Sequence, residues 1–181
     1  MIIKEILAQA AFLLGLGEEA ERLNQGDCSG EETAKLLRCY NFVENEIALD
    51  YLPLTAEETV SSKGGSIAYS SFSHSPVSVL GVTDEWGNRV PFDIFPEFIK
   101  TVEGTLVVTY TYSPVKKTAS EHTEYDARVP AHLLSYGVAC EYCLIGGRYE
   151  ESLVWDRKYK DALLCICSVN RPRAVRARRW V

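Results

Sequence analysis

The 181 residues are 46% hydrophobic and 24% charged, proportions that exclude a disordered or collagen-like chain and suit one core domain, alone or with an insert. The net charge of −6 is unevenly spread: residues 171–181 hold five arginines and no acid, leaving 14 basic against 25 acidic residues elsewhere, net −11, which argues against a surface that binds nucleic acid as a whole. No apolar run reaches the roughly 20 residues needed to cross a bilayer, and the acidic Glu18, Glu19 and Glu21 after the first apolar stretch are unlike a secretory signal.

Ile3, Ile6, Leu7, Ala10, Leu13 and Leu14 recur at three- and four-residue spacing and predict an amphipathic helix over 2–16, ended by Gly15 and Gly17. Beyond a polar loop around Asn24 to Asp27, Ser29 and Glu32 have the spacing of a capping box. Leu36, Leu37, Tyr40, Val43, Ile47 and Ala48 then carry a second helical stripe to about Asp50. Pro53 stops that pattern, and Thr, Val, Tyr, Phe and Gly become frequent. Strands are predicted over 58–62, 66–70, 77–83, 89–92, 97–102 and 105–112. Gly64-Gly65, Gly87-Asn88 and Glu103-Gly104 read as turns, the last as the turn of a hairpin. Leu106, Val108, Tyr110 and Tyr112 alternate with Val107, Thr109 and Thr111, which gives one face able to cover a core.

The polar segment 113–129 reads as a surface loop, and Pro130 suits the first turn of a helix. Leu133, Leu134, Gly137, Val138, Tyr142 and Ile145 line one side of that helix, and Gly146-Gly147 stops it. Leu153, Trp155, Tyr159, Ala162, Leu163 and Ile166 repeat at helical spacing in a last helix closed by Pro172, with Glu151, Asp156, Arg157, Lys158 and Asp161 on its polar side. The predicted class is α+β: a mainly helical four-helix core built from both chain ends (1–52 and 129–169), an inserted antiparallel sheet or sandwich with its loop (53–128), and an extended C-terminal arm (170–181).

Catalytic signatures are sparse. Cys28, Cys39, Cys140, Cys143, Cys165 and Cys167 read as reduced thiols; Cys140 and Cys143 have zinc-knuckle spacing, but Cys165 and Cys167 do not form a matching pair. His74, His122 and His132 lie far apart and read as surface residues. A thiol enzyme using Cys140 or Cys143 with His132 would need proton transfer over eight residues, about 12 Å of helical rise. The acidic run at Glu18 reads as a solvated loop or helix start. Tyr69, Phe72, Trp86, Phe92, Phe95, Phe98, Tyr110 and Tyr112 read as the sheet's own core before they read as a base- or sugar-binding set. No catalytic residue, cofactor or metal is assigned.

The tail Arg171, Arg173, Arg176, Arg178, Arg179, Trp180 and Val181 is different. Arginine and tryptophan are the residues that anchor interfaces, and here they stand in a segment with no core of its own, so it is read as a docking arm. DNA phosphate is the competing target of the same arginines.

The stretches Leu134 to Ser152 and Trp155 to Leu163, the closing Arg178-Arg179-Trp180, and the β segment ending in Val107 to Pro114 together resemble the head-tail adaptor (connector) proteins of long-tailed bacteriophages and prophages. That resemblance spans nearly the whole chain and rests on apolar, structural motifs in a particular order. It implies a structural virion subunit at the head-tail neck, assembled in the bacterial cytoplasm as a homo-oligomeric ring, typically of twelve copies. The ring would bind the portal protein, meet a tail-side neck or stopper protein, and continue a channel through which DNA passes without sequence-specific binding. The arm, Arg171 to Val181, would be the portal contact. Two other readings use the same residues: a small DNA-binding or packaging accessory protein working through the arm, and a thiol or metal enzyme built on Cys140 and Cys143.

Overall fold

The computed structural model describes residues 1–125 and 128–170 of the chain. The protein is α+β. Its helices are α1 (Ile3–Leu13), α2 (Gly17–Asn24), α3 (Glu31–Glu46), α4 (Ala131–Ile145) and α5 (Tyr149–Asn170). Its strands are β1 (Leu54–Ser62), β2 (Ser66–Ala68), β3 (Pro76–Thr83), β4 (Asp93–Ile94), β5 (Phe98–Lys100) and β6 (Gly104–Tyr112). Two compact units emerge, residues 1–44 with 117 onward, and residues 45–116. These boundaries fall at 44/45 and 116/117, where 52/53 and 128/129 were expected.

In the helical unit, α1 buries Ile3, Ile6, Leu7, Ala8, Ala10 and Ala11 and Leu14 follows at 7% exposure, so the predicted stripe holds except at half-buried Leu13 and gains two small residues. Gly15, with φ +77°, lets the chain reverse into α2. That short helix absorbs the acidic run, with Glu18 and Glu19 in its first turn, where negative charge suits the helix dipole. It makes five α-helices among the described residues, where four were expected. α4 packs on both α1 and α5 and is buried on several sides, through Leu133, Leu134, Ser135, Gly137, Val138, Ala139, Cys140 and Cys143. The expected one-sided stripe of α4 is too narrow: Ile145 is 63% exposed at its end, while Ala139, Cys140 and Cys143 turn inward.

The helix α3 does not start with the expected capping box. Ser29 Oγ donates instead to Asp27 Oδ1 at 2.6 Å, and Glu32 accepts from Lys35 Nζ at 3.0 Å and from the Tyr142 hydroxyl. The cap comes from α2: the Thr33 backbone N–H donates to Glu19 Oε1 at 3.0 Å. A carboxylate from a packed neighbouring helix satisfies an orphan donor as well as a local one does.

Segment 113–129 departs from the expected surface loop. Ile3 N donates to Glu121 O at 2.9 Å, Lys4 N to Ala119 O at 2.9 Å and Thr123 N to Met1 O at 3.2 Å. Ala119, Thr123, Tyr125 and Val129 are buried. Backbone donors at the first turn of α1, which have no intrahelical partner, are met by this segment.

The β unit holds two antiparallel three-stranded sheets, ordered β1-β6-β3 and β2-β5-β4. β1 and β6 pair in unbroken register from Leu54 opposite Tyr112 to Ser62 opposite Gly104. Gly64 and Gly65, at φ +62° and +74°, make the two-residue turn between β1 and β2, closed by Lys63 and Ser66. Both sheets feed one core of Val60, Ile67, Phe72, Val79, Val82, Ile99, Leu106, Val108 and Tyr110. The expected inner face of β6 is thus the observed one.

Two strand expectations are corrected. The Glu103-Gly104 link does not close a hairpin, because β5 pairs with β2 and β4 while β6 lies between β1 and β3. Nine residues of β6 find a matched nine-residue partner in β1, which three residues of β5 do not offer, and Gly104 at φ +139° turns the chain from one sheet to the other. No strand forms over 89–92. Arg89 makes an isolated bridge with Thr83, Val90 N donates to Val82 O at 2.9 Å, and Pro91 has no donor to continue the ladder.

Candidate functional site

The residues singled out for partner binding, Arg171, Arg173, Arg176, Arg178, Arg179, Trp180 and Val181, lie outside the described residues. What the described residues present to a partner is a set of uncovered apolar side chains on each unit. In the helical unit, Tyr149, Leu153 and Leu164 fall on one side of α5 at helical spacing and are each about two-thirds exposed. The face that α5 buries, through Ser152, Trp155, Tyr159 and Leu163, lies beside that stripe. Leu153 was expected on the buried face; it sits one residue after Ser152, so the helix turns it about 100° away.

A second feature is an open groove of about 550 Å³ between α1 and α2. Ala8 and Ala20 are buried at its base, Phe12 stands 74% exposed at its edge, and Glu5 and Glu21 also line it. Small residues on both helices leave the groove open, and the turn at Gly15 sets the two helices side by side. Sequence reading missed it because α2 was not assigned; the alternation of Glu18, Glu19 and Glu21 with Ala20 and Leu23 was the available signal.

In the β unit, the 84–88 turn holds Trp86 out at 82% exposure. Asp84 Oδ1 accepts from Trp86 N at 2.9 Å and Asn88 N at 2.8 Å, and Oδ2 from Asn88 Nδ2 at 2.9 Å. These bonds, the Asn88 side chain foremost, hold the Asp84 carboxyl below its ordinary range. Of the aromatics expected in the sheet core, Phe72 and Tyr110 are buried and pack edge to face at 4.9 Å. Tyr69, Phe92 and Tyr112 pack at the core margin, Phe98 stacks on the partly exposed Phe95 at 4.9 Å, and Trp86 is outside. Val77 and Leu80, with Leu49, border a smaller groove of about 280 Å³.

The thiol reading meets buried side chains. Burial pushes the Cys39 thiol up to about 12 and the Cys140 thiol up to about 11, and raises that of Cys143. Cys140 Sγ donates to Ser152 O at 3.6 Å, whereas a nucleophilic thiol needs a lowered pKa and a basic partner. His132 is exposed beside Tyr136. His74 is half-buried against the Tyr112 ring at 4.2 Å, which departs from its expected surface placement. Among the described residues no three His, Cys, Asp or Glu side chains gather where a metal ion could be held, and no helix is long and apolar enough to cross a membrane.

One buried charged residue escaped the sequence reading. Glu44 is 1% exposed, and its Oε1 accepts from Tyr40 Oη at 2.8 Å, Thr123 Oγ1 at 2.9 Å and Glu124 N at 2.9 Å. Its place on the helical stripe of α3 gave no hint, because two of its three donors come from a segment almost eighty positions later in the chain. Comparison of the chain with protein-family models and with curated protein sequences gave no match.

Proposed function

We propose that this chain is a structural subunit of a long-tailed bacteriophage or prophage, a head-tail adaptor that assembles as a ring, binds the portal and continues the DNA channel toward the tail. The observation that carries the reading is the exposure of large apolar side chains on both units: Phe12, Leu153 and Leu164 in one, Leu80, Trp86 and Ile94 in the other, each more than half uncovered. Apolar groups on this scale mark surfaces that assembly covers. Ring subunits need two different faces, because heterologous contacts repeat around an axis.

The order of elements, helices from both chain ends around an inserted β unit, agrees with the resemblance to connector proteins. The acidic body, net −11 outside residues 171–181, would repel DNA phosphates and let a genome slide past, while the arginine arm supplies charge for the portal. The test is electron microscopy of the purified chain mixed with the portal encoded by the same genome, beside a chain ending at Val169. A second ring under the portal with the full chain, lost on truncation, is expected. If neither chain forms a ring, and the full chain instead binds DNA with a steep salt dependence, the packaging-accessory function of the arm takes its place.

A further inference from the structure

The groove between α1 and α2 has the shape and charge of a receptor, and the chain carries a segment that matches it. Its floor is cut from small residues. A Cβ added at Gly17 would meet nothing within 4 Å, so there is room for an aromatic ring beside the exposed Phe12. Its walls carry Glu5 and Glu21, which pair with no basic side chain among the described residues. The neighbouring acid Glu19 is by contrast used internally, on Thr33 and Arg22. Open apolar space flanked by two glutamates calls for a ligand that brings an aromatic group and guanidinium cations together.

We propose that this groove receives the arm, residues 171–181, of a neighbouring copy of the same chain, with Trp180 laid against Phe12 and arginines facing Glu5 and Glu21. Charge complementarity is the first argument: five arginines and no acid on one side, two glutamates with no basic partner among the described residues on the other. Length is the second. α4 and α5 run antiparallel from the Gly146-Gly147 turn, and α5 has 22 residues to the 15 of α4. At about 1.5 Å per residue α5 runs roughly 10 Å past the start of α4. Ser135, near that start, lies 3.2 Å from Ile6 O in the first turns of α1, so α5 ends on the side of the unit where α1 begins. Eleven further residues reach up to about 36 Å, long enough to leave the subunit that carries them.

The contact concerns the arm before a portal is met, and it stands independently of the adaptor reading, since the experiment contains no portal. Self-association of the full chain is followed by sedimentation velocity, with Glu5→Lys/Glu21→Lys, with Arg176→Glu/Arg179→Glu, with the two pairs combined, and with Trp180→Ala. The parent is expected to associate. Each charge-reversed pair should weaken association about tenfold, as two lost ion pairs would, the combined reversal should restore it, and Trp180→Ala should weaken it as well. Glu5 and Glu21 are exposed, so unchanged thermal melts are the control for folding. A parent that stays monomeric overturns the proposal. So does an effect of the arginine reversal that the groove reversal does not reproduce, or a combined variant that fails to recover.

Discussion

Glu44 ties two distant parts of the helical unit with one oxygen: a hydroxyl from its own helix, a hydroxyl and a backbone N–H from the segment at 123–124. Hydrogen bonds to a charged group contribute more than neutral ones, and removing the acceptor leaves buried donors unmet. Glu44→Ala is therefore expected to lower stability by roughly 3 kcal/mol in urea unfolding, with accelerated amide exchange at Glu124. The buried thiols act in the opposite sense to a catalytic centre. Unfolded cysteine ionises near 8.5, whereas Cys39 in the fold is held to about 12 and Cys140 to about 11. The folded chain binds these protons more tightly, so the stability they confer is complete below about pH 8.5 and declines as pH rises toward the folded values. Melting temperature should fall between pH 8 and 9.5, less steeply in a Cys39→Ala/Cys140→Ala chain. Brief alkylation at pH 8 should label the exposed Cys28 well before Cys39, Cys140 and Cys143, as read by peptide mass spectrometry.

At the scale of elements, helix packing turns on Gly137. A Cβ there would lie 2.7 Å from Val43 Cγ1 and 3.0 Å from Tyr159 Cε2, so glycine is what lets α4 approach α3 and α5. Alanine would gain about 1 kcal/mol of helix propensity but force stiff, buried neighbours apart at about 2 kcal/mol. Gly137→Ala should thus melt lower by about 1 kcal/mol of stability, and Val43→Ala in the same chain should recover part of the loss. Gly137 was read as part of the apolar side of α4, and the stripes of α1 and α3 and part of that of α4 were legible because helical burial imposes a period of 3.6. The inner face of β6 was legible for the matching reason, a period of two. What was not legible depended on partners far along the chain. Strand pairing at Glu103-Gly104 is decided by β1, forty residues earlier, the cap of α3 by Glu19, and the packing of 117–125 by the first turn of α1. The groove was hidden for the same reason, since neither helix shows it alone.

For the whole molecule, the question is which of its uncovered surfaces assembly uses. The stripe of Tyr149, Leu153 and Leu164 on α5 is about two-thirds uncovered, so charge placed there should largely spare the fold and act on association. Leu153→Glu/Leu164→Glu is expected to keep the parent melting temperature within a few degrees and to lose ring formation on the portal in electron micrographs. A melt lowered by far more would mean that the stripe belongs to the core. The two units also differ in how they are joined to the chain. Asn41 Oδ1 accepts from Lys117 N at 2.8 Å and its Nδ2 donates to Lys117 O, one helical turn from where the helical unit ends at Glu44. The points of departure and return are thereby pinned side by side by a residue that belongs to neither the strands nor their turns. In genetic terms, codons 45–116 form a cassette: a lineage could delete, lengthen or exchange them as a block, and the helices would still close on themselves across a short bridging loop.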